Sequence, residues 1–301
     1  MTDSQAQSAE PIPPHPVSSQ PQKNWPQPLS PREWDQRFPG ILDGIHIIAG
    51  AANVVLQLAR RPVGYGIIES KVDSGNLHKH PVKRTRTTLT YLAVALLGTT
   101  EEKLAYRKAV NRSHAKVKSD ADSPVKYNAF DPQLQLWVAA SIYWGLADIQ
   151  SKFNGEMPRE HQEALYQLCQ SVGTTLQVRQ NMWPENLDAF DGYWEAGLNL
   201  LKLDDTTRNF LTGIAGLDFL PWKLGVVMNK WGLFITAGFL PTELREEMRF
   251  DWDVKKQKRF EQMIKILAAF NRCLPRIMRQ LPILMIMKDF RWRLRKGAPL
   301  V

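Results

Sequence analysis

The feature that most narrows the fold is the spacing of apolar residues from Ile41 onward. They recur every three to four positions in long stretches interrupted by Gly and Pro, with few alternating β-branched runs. This period predicts helices over 41–60, 83–97, 101–118, 131–153, 158–172, 185–202, 204–216, 241–250 and 253–294, the last broken near Pro275 and Pro282. Several starts carry capping chemistry. Asp131 precedes Pro132, Thr206 lies in an Asp-rich first turn, and Thr242 is placed as a cap with Arg245 where a capping box would have Glu. No internal repeat or linker divides residues 40–296, so the expectation is all-α, a single globular multi-helix domain over 36–301. Residues 1–35 hold eight of the twenty prolines, with Ser and Gln and no apolar period, and read as a disordered leader.

Composition removes several classes. At 301 residues with 44% hydrophobic and 23% charged side chains, the chain can build a core without staples. Cys169 and Cys273 belong to no CxxC pair, which disfavours a disulfide framework or zinc cluster and points to a reducing, cytoplasmic setting. There is no signal-peptide pattern. The longest apolar candidate, Ile41 to Ala59, contains Asp43, His46, Asn53 and Gln57, so no spanning helix is expected. The net charge of +9 is concentrated at the end, where 255–296 carries thirteen Lys and Arg against Glu261 and Asp289. Ile277, Leu281, Met285, Phe290 and Trp292 alternate with those cations. That mixture suits peripheral membrane contact better than nucleic acid, which is not an expected partner; a core-packed terminal helix with a solvated basic side remains equally open.

Common enzyme signatures are missing: there is no Gly-rich phosphate loop, GxSxG elbow, HExxH motif, dinucleotide fingerprint or di-iron ExxH pair. Among six histidines, four lie in polar or Pro-rich surroundings. His114 instead shares a helical face with Tyr106, Val110 and Val117, which points the imidazole inward. Such a neutral ring can ligate a metal or serve as a haem axial ligand, and a hydrogen-bonded core histidine is the plainer reading. His46, near Gly50, Ala51 and Ala52, is the rival, with a structural hydrogen bond as its simpler role. In HPVKRTRTTLTYLAVALLG, Lys83, Arg84 and Arg86 occupy the start of an otherwise apolar helix, where cations oppose the dipole. They make sense if an anion such as a propionate or phosphate docks there, with Thr87 and Thr88 in reach; a solvated basic turn is the alternative. Trp137, Trp144, Trp183, Trp194, Trp222 and Trp231 read first as core.

Several stretches in succession resemble the family of MpaB-type oxygenases and latex-clearing proteins (rubber oxygenases), which are helical b-haem proteins. The matching pieces are AGAANVVLQLARRPVGYGIIES, KRTRTTLTYLAVALLG, NRSHAKV, YNAFDPQLQLWVAA, MWPENLDAFDGYW and TAGFLPTELREEM, in order across roughly 40–295. The resemblance implies a haem b pocket between helices, with His114 as the proximal iron ligand. It also implies that Arg86 and Thr87, with Arg84 and Thr88 as close alternatives and Lys83 beside them, line the cofactor. In the latex-clearing branch a lysine ending the basic segment can cap the iron. Here that position is Arg86, and a guanidinium seldom ligates iron. Many relatives place a histidine after the Trp-Val pair, where this chain has Ala139. Glu69 is nearest to an upstream glutamate used as a base, although it could equally cap a loop or pair with Lys71. The implied activity is oxidative cleavage of a carbon–carbon double bond in an apolar, polyisoprenoid-like substrate, with O2 as co-substrate. The alternative from another class is a non-enzymatic haem- or lipid-binding protein at a membrane surface.

Overall fold

The computed structural model describes residues 25–72 and 77–301. In chain order its α-helices are α1 Pro31–Arg37, α2 Gly50–Leu58, α3 Arg61–Ile68, α4 Pro81–Leu97, α5 Thr100–His114, α6 Pro132–Asn154 and α7 Arg159–Thr174. They continue as α8 Leu187–Asn199, α9 Asp205–Ala215, α10 Trp222–Phe239, α11 Thr242–Glu247, α12 Val254–Cys273 and α13 Arg276–Lys296. Among the described residues there is no strand, only an isolated bridge between Lys118 and Asn128. The fold is a single all-α domain, as its apolar period predicts.

Helix starts follow from local chemistry. Ser30 with Glu33, and Thr99 with Glu102, form complete capping boxes on α1 and α5, satisfying amides that the first turn leaves free. Asp131, Asn186, Asp204 and Asp253 cap α6, α8, α9 and α12. Asp131 thus acts as its sequence predicts. Thr206 does not cap α9, because the Asp204 carboxylate, which is better placed, accepts from the Thr207 amide at 2.8 Å. At α11 Pro241 takes the cap position, and the Thr242 hydroxyl accepts from Arg245 at 2.9 Å.

Two helices organise the packing. α6 lies against α2, α7 and α12, while α4 lies against α5, α7 and α13, so α7 joins the two groups. Trp137 stacks on Trp194 at 5.3 Å, and Trp194 on Trp144 at 5.2 Å. Gly197 permits this: a Cβ there would stand 2.5 Å from Trp137 Cζ3. Tyr143, Tyr166, Trp183 and Phe190 form a second aromatic cluster beside α7. Each fully buried large apolar side chain contributes roughly 1.5–3 kcal/mol relative to exposure. Trp231 departs from the core reading of the tryptophans, being 57% exposed on α10.

Other expectations change at element boundaries. Of the leader expected over 1–35, residues 1–24 lie outside the described part. Packing is already present from Trp25, whose indole N–H donates to Thr174 at 3.0 Å, and Trp34 is buried. The helix expected over 41–60 is split: Gly44–Ala49 forms a 3-10 turn before α2. Close packing explains this, since a Cβ on Gly44 would meet Pro282 Cγ at 2.3 Å. α3 and α10 have no counterpart in the expected set; Pro62, Gly64 and Gly66 disguise one, and Gly225, Gly232 and Gly238 the other. At the C-terminus Pro275 breaks the chain between α12 and α13, whereas Pro282 remains inside α13. No helix among the described residues is long and apolar enough to cross a membrane.

Candidate functional site

The site begins where α4 and α5 run side by side. α5 ends on His114, so Tyr106, Val110 and His114 share one face at spacings of four, while Val117 lies beyond the helix and its amide donates to the His114 carbonyl at 2.9 Å. Arg107, two turns before His114, anchors the helix against α7. Its guanidinium donates to the Thr174, Thr175 and Leu176 carbonyls at the end of α7, a favourable place for a cation. A network of amides holds the last turn: Gln177 Nε2 donates to Asn111 Oδ1 at 2.8 Å, and Gln177 N to Gln135 Oε1 at 2.8 Å. Gln135 in turn donates to the Ala129 carbonyl at 2.6 Å, beside Phe130, whose ring meets the His114 imidazole edge-on at 6.3 Å.

His114 is held neutral. Burial pushes its pKa down to about 4, with the nearby Arg84 guanidinium adding to the shift. Nδ1 is buried without a hydrogen-bond partner, whereas Nε2 is not enclosed. The hydrogen-bonded core histidine is therefore not what the structure contains. A neutral imidazole with an available nitrogen can donate its lone pair to a metal.

Arg84 is the second unusual group. Its side chain is half-buried, desolvation lowers its pKa with Tyr106 opposing the shift, and no carboxylate among the described residues pairs with it. A half-buried cation without an acidic partner would be stabilised by an incoming anion. Thr88 lies one turn further along the same helical face, and its hydroxyl has no partner among the described residues. Thr87 is otherwise engaged: its hydroxyl donates to the Arg84 carbonyl at 3.0 Å, and its own carbonyl accepts from Tyr106 Oη at 2.7 Å. Arg86 faces α13, with Nη1 3.5 Å from Asp289. Lys83, in the first turn of α4, is half-buried.

Glu69 follows α3 and accepts from Tyr127 Oη at 2.9 Å. Burial first, and then this carboxylate, push the Tyr127 pKa up to about 12. Lys71 pairs instead with Asp120 at 3.2 Å, so the Glu69–Lys71 pair is not formed. Tyr127 sits on the 115–131 loop that also carries Phe130, which places Glu69 against the loop adjoining His114.

His46 stands apart. Its ring packs edge-on against Phe153 at 5.9 Å, at the C-terminal end of α6, while His114 meets Phe130 just before the start. A helix of 23 residues is about 34 Å long, so the two imidazoles cannot face one metal. Neither His46 nitrogen has a hydrogen-bond partner, and Gly50 has open space where a Cβ would be.

Sequence reasoning missed Tyr106 as a clamp on α4, Asp289 as the partner of Arg86, and the Gln135–Gln177–Asn111 network. Tyr106 was already marked by its spacing from His114; the others join residues far apart in the chain, which no local pattern shows. Among the described residues no three His, Cys, Asp or Glu side chains converge as a metal cluster. Two surface grooves, of about 450 and 720 Å³, lie along α8–α11 and beside α13, and neither is lined by His114 or Arg84.

The family described as ER-bound oxygenase mpaB/B′/rubber oxygenase, catalytic domain, matches residues 40–269. Two mycobacterial relatives, uncharacterized protein Rv2237 of Mycobacterium tuberculosis and uncharacterized protein Mb2261 of Mycobacterium bovis, are each 45% identical over 251 residues, covering 83% of this chain and 98% of theirs. No solved structure matches.

Proposed function

Because the chain belongs to the mpaB/B′ and rubber oxygenase catalytic-domain family, we propose that it is a haem b-dependent oxygenase that oxidatively cleaves a carbon–carbon double bond of an apolar, isoprenoid-like substrate. The observation that carries this reading is the pairing of an unengaged neutral imidazole, His114, with a half-buried cation that has no acidic partner among the described residues, Arg84. One protein ligand is what a porphyrin-bound iron asks of its site, since the macrocycle supplies the equatorial ligands itself. Its propionates, in turn, are the anions that Arg84 lacks.

On this reading His114 would hold the haem iron, and Arg84 and Lys83 would meet the propionates, with Arg86 held alongside by Asp289. When bound, haem b supplies the O2 chemistry; the protein supplies ligation, charge and a dry wall. Tyr106, Phe130 and Phe290 would form that wall: Phe130 packs against His114, Tyr106 lies two turns earlier on the same helix, and Phe290 packs on Tyr106 at 5.7 Å. Thr88 offers the free hydroxyl on the α4 face, whereas Thr87 can only accept there. Glu69 holds the proton-accepting role, with Tyr127 Oη positioned to share a proton with it. The free thiols Cys169 and Cys273 suit a reducing cytoplasm, and an enzyme with a lipid-like substrate would work against a membrane surface.

The test is an absorption spectrum of protein expressed with ample haem beside the His114→Ala variant. A strong Soret band that is lost or shifted in the variant is expected; identical bands would end the assignment. Oxygen uptake on adding a terpenyl lipid, absent in His114→Ala, separates turnover from simple ligand storage.

A further inference from the structure

We propose that the outer face of α13 is a docking surface for an anionic lipid bilayer. The helix carries two apolar faces. Its inner face, with Ile283, Met287 and Phe290, packs toward α4 and the 3-10 turn at Gly44–Ala49. Its outer face exposes Ile277 (71%), Met278 (57%), Leu281 (47%), Met285 (60%) and Trp292 (47%). At about 100° per residue these five fall within an arc of about 100°, a stripe roughly 22 Å long that Lys288 interrupts between Met285 and Trp292. A helix that merely covered a core would be polar on that side. Phe270, 61% exposed near the end of α12, continues the apolar surface toward the Pro275 corner.

Charge selects the occupant. Thirteen cations against two acids lie between 255 and 296. Several are bound inward: Arg279 to Asp43, Arg276 to Asp35, Arg291 to Glu102 and Arg293 to Asp289. Lys265, Lys288, Arg295 and Lys296 have no acidic partner among the described residues, and Lys288 lies within the apolar arc itself. A second copy would bring the same positive charge against this face and be repelled. Nucleic acid would use the cations and leave the apolar stripe wet. An anionic interface satisfies both, with the stripe at the acyl boundary and the cations at the headgroups. A groove of about 720 Å³ on the adjoining flank is floored by Leu97, Leu284, Met287 and Leu294 and edged by Lys288, Arg291 and Arg295 together with Glu33 and Glu102.

The position matters for the site because the inner side of this helix delivers Asp289 to Arg86 and Phe290 to Tyr106. A docked α13 would separate lipid from the site by little more than one helix diameter, about 10 Å. The docking itself needs neither haem nor turnover, so it stands or falls separately from the oxygenase reading.

The experiment is flotation of the full chain with vesicles of phosphatidylcholine alone and of phosphatidylcholine with phosphatidylserine. The wild type should float with the anionic vesicles, lose binding as salt rises, and bind neutral vesicles weakly. Leu281→Ser/Met285→Ser should bind at least tenfold more weakly with an unchanged far-UV spectrum and melting point, and Lys288→Glu/Lys296→Glu should be impaired to a similar degree. Equal binding to both vesicle types, or undiminished binding by both double variants, overturns the proposal. So does a wild-type dimer that Leu281→Ser/Met285→Ser dissociates without any change in flotation, which would give the face to a second copy.

Discussion

Across the α4–α5 contact the Tyr106 hydroxyl donates to the Thr87 carbonyl at 2.7 Å. The residue that shares the His114 face therefore also fixes the backbone between Arg84 and Thr88. Burial raises the Tyr106 pKa well above its usual range, so the hydroxyl keeps its proton at any ordinary pH. The two halves of the proposed cofactor site are thus locked to each other by one neutral hydrogen bond.

Tyr106→Phe keeps the ring and deletes that bond. Such a bond is worth about 0.5–1.5 kcal/mol, so urea denaturation should show a loss of that size. The larger effect should appear in transfer of haem to a scavenging apoprotein, several-fold faster than in wild type with the axial ligand unaltered. An unchanged transfer rate would show that α4 keeps its position without the clamp.

Arg84→Met separates stability from binding. Without the cofactor, removing a half-buried cation that has no acidic partner should leave the haem-free protein at least as stable as wild type. Haem retention should fall at the same time, because the partner of the propionates is gone. A variant less stable than wild type in the haem-free state would mean that the guanidinium already has a favourable role in the empty fold.

Glu69 can be tested apart from folding. The Gln variant retains an oxygen that can accept from Tyr127, so neither melting temperature nor haem occupancy should change much. If the carboxylate moves a proton during turnover, kcat for oxygen uptake should fall at least tenfold, within the range general bases contribute. Full activity in Glu69→Gln would leave this residue as a loop anchor.

Much of this was legible in the residues because it is local. The period of the apolar positions located most helices, Asp131–Pro132 fixed the start of α6, and spacing put His114 on the same face as Tyr106. What escaped depends on distant contacts. Gly44 reads as a residue within a helix until Pro282, more than two hundred positions later, is packed on it and the chain takes a 3-10 turn. Nothing local to Arg86 points to an acidic partner, and only α13 brings Asp289 to 3.5 Å from it. The basic C-terminus posed a choice between core and membrane because its helix has an apolar face for each, and only the packing of Phe290 shows which one is buried.

His46 predicts acid sensitivity that has nothing to do with the cofactor. Burial pushes its pKa down from 6.5 to about 4, while Asp43 and the Ile41 carbonyl oppose the shift without reversing it. Asp43 is already engaged, accepting from Asn271 and Arg279 at 2.7 Å each. Between these two pKa values the unfolded chain binds a proton that the native state refuses, so this contribution to stability is complete above about pH 6.5 and declines as pH falls toward 4. At pH 5 the loss relative to pH 8 should be roughly 1–2 kcal/mol. His46→Leu removes a ring whose nitrogens make no well-formed hydrogen bond and fills the space beside Phe153 with apolar atoms. Its stability at pH 8 should match or exceed that of wild type, and its decline between pH 8 and pH 5 should be smaller by that amount. Parallel pH profiles for the two proteins, measured by chemical denaturation, would show that the imidazole finds a proton acceptor in the native state after all.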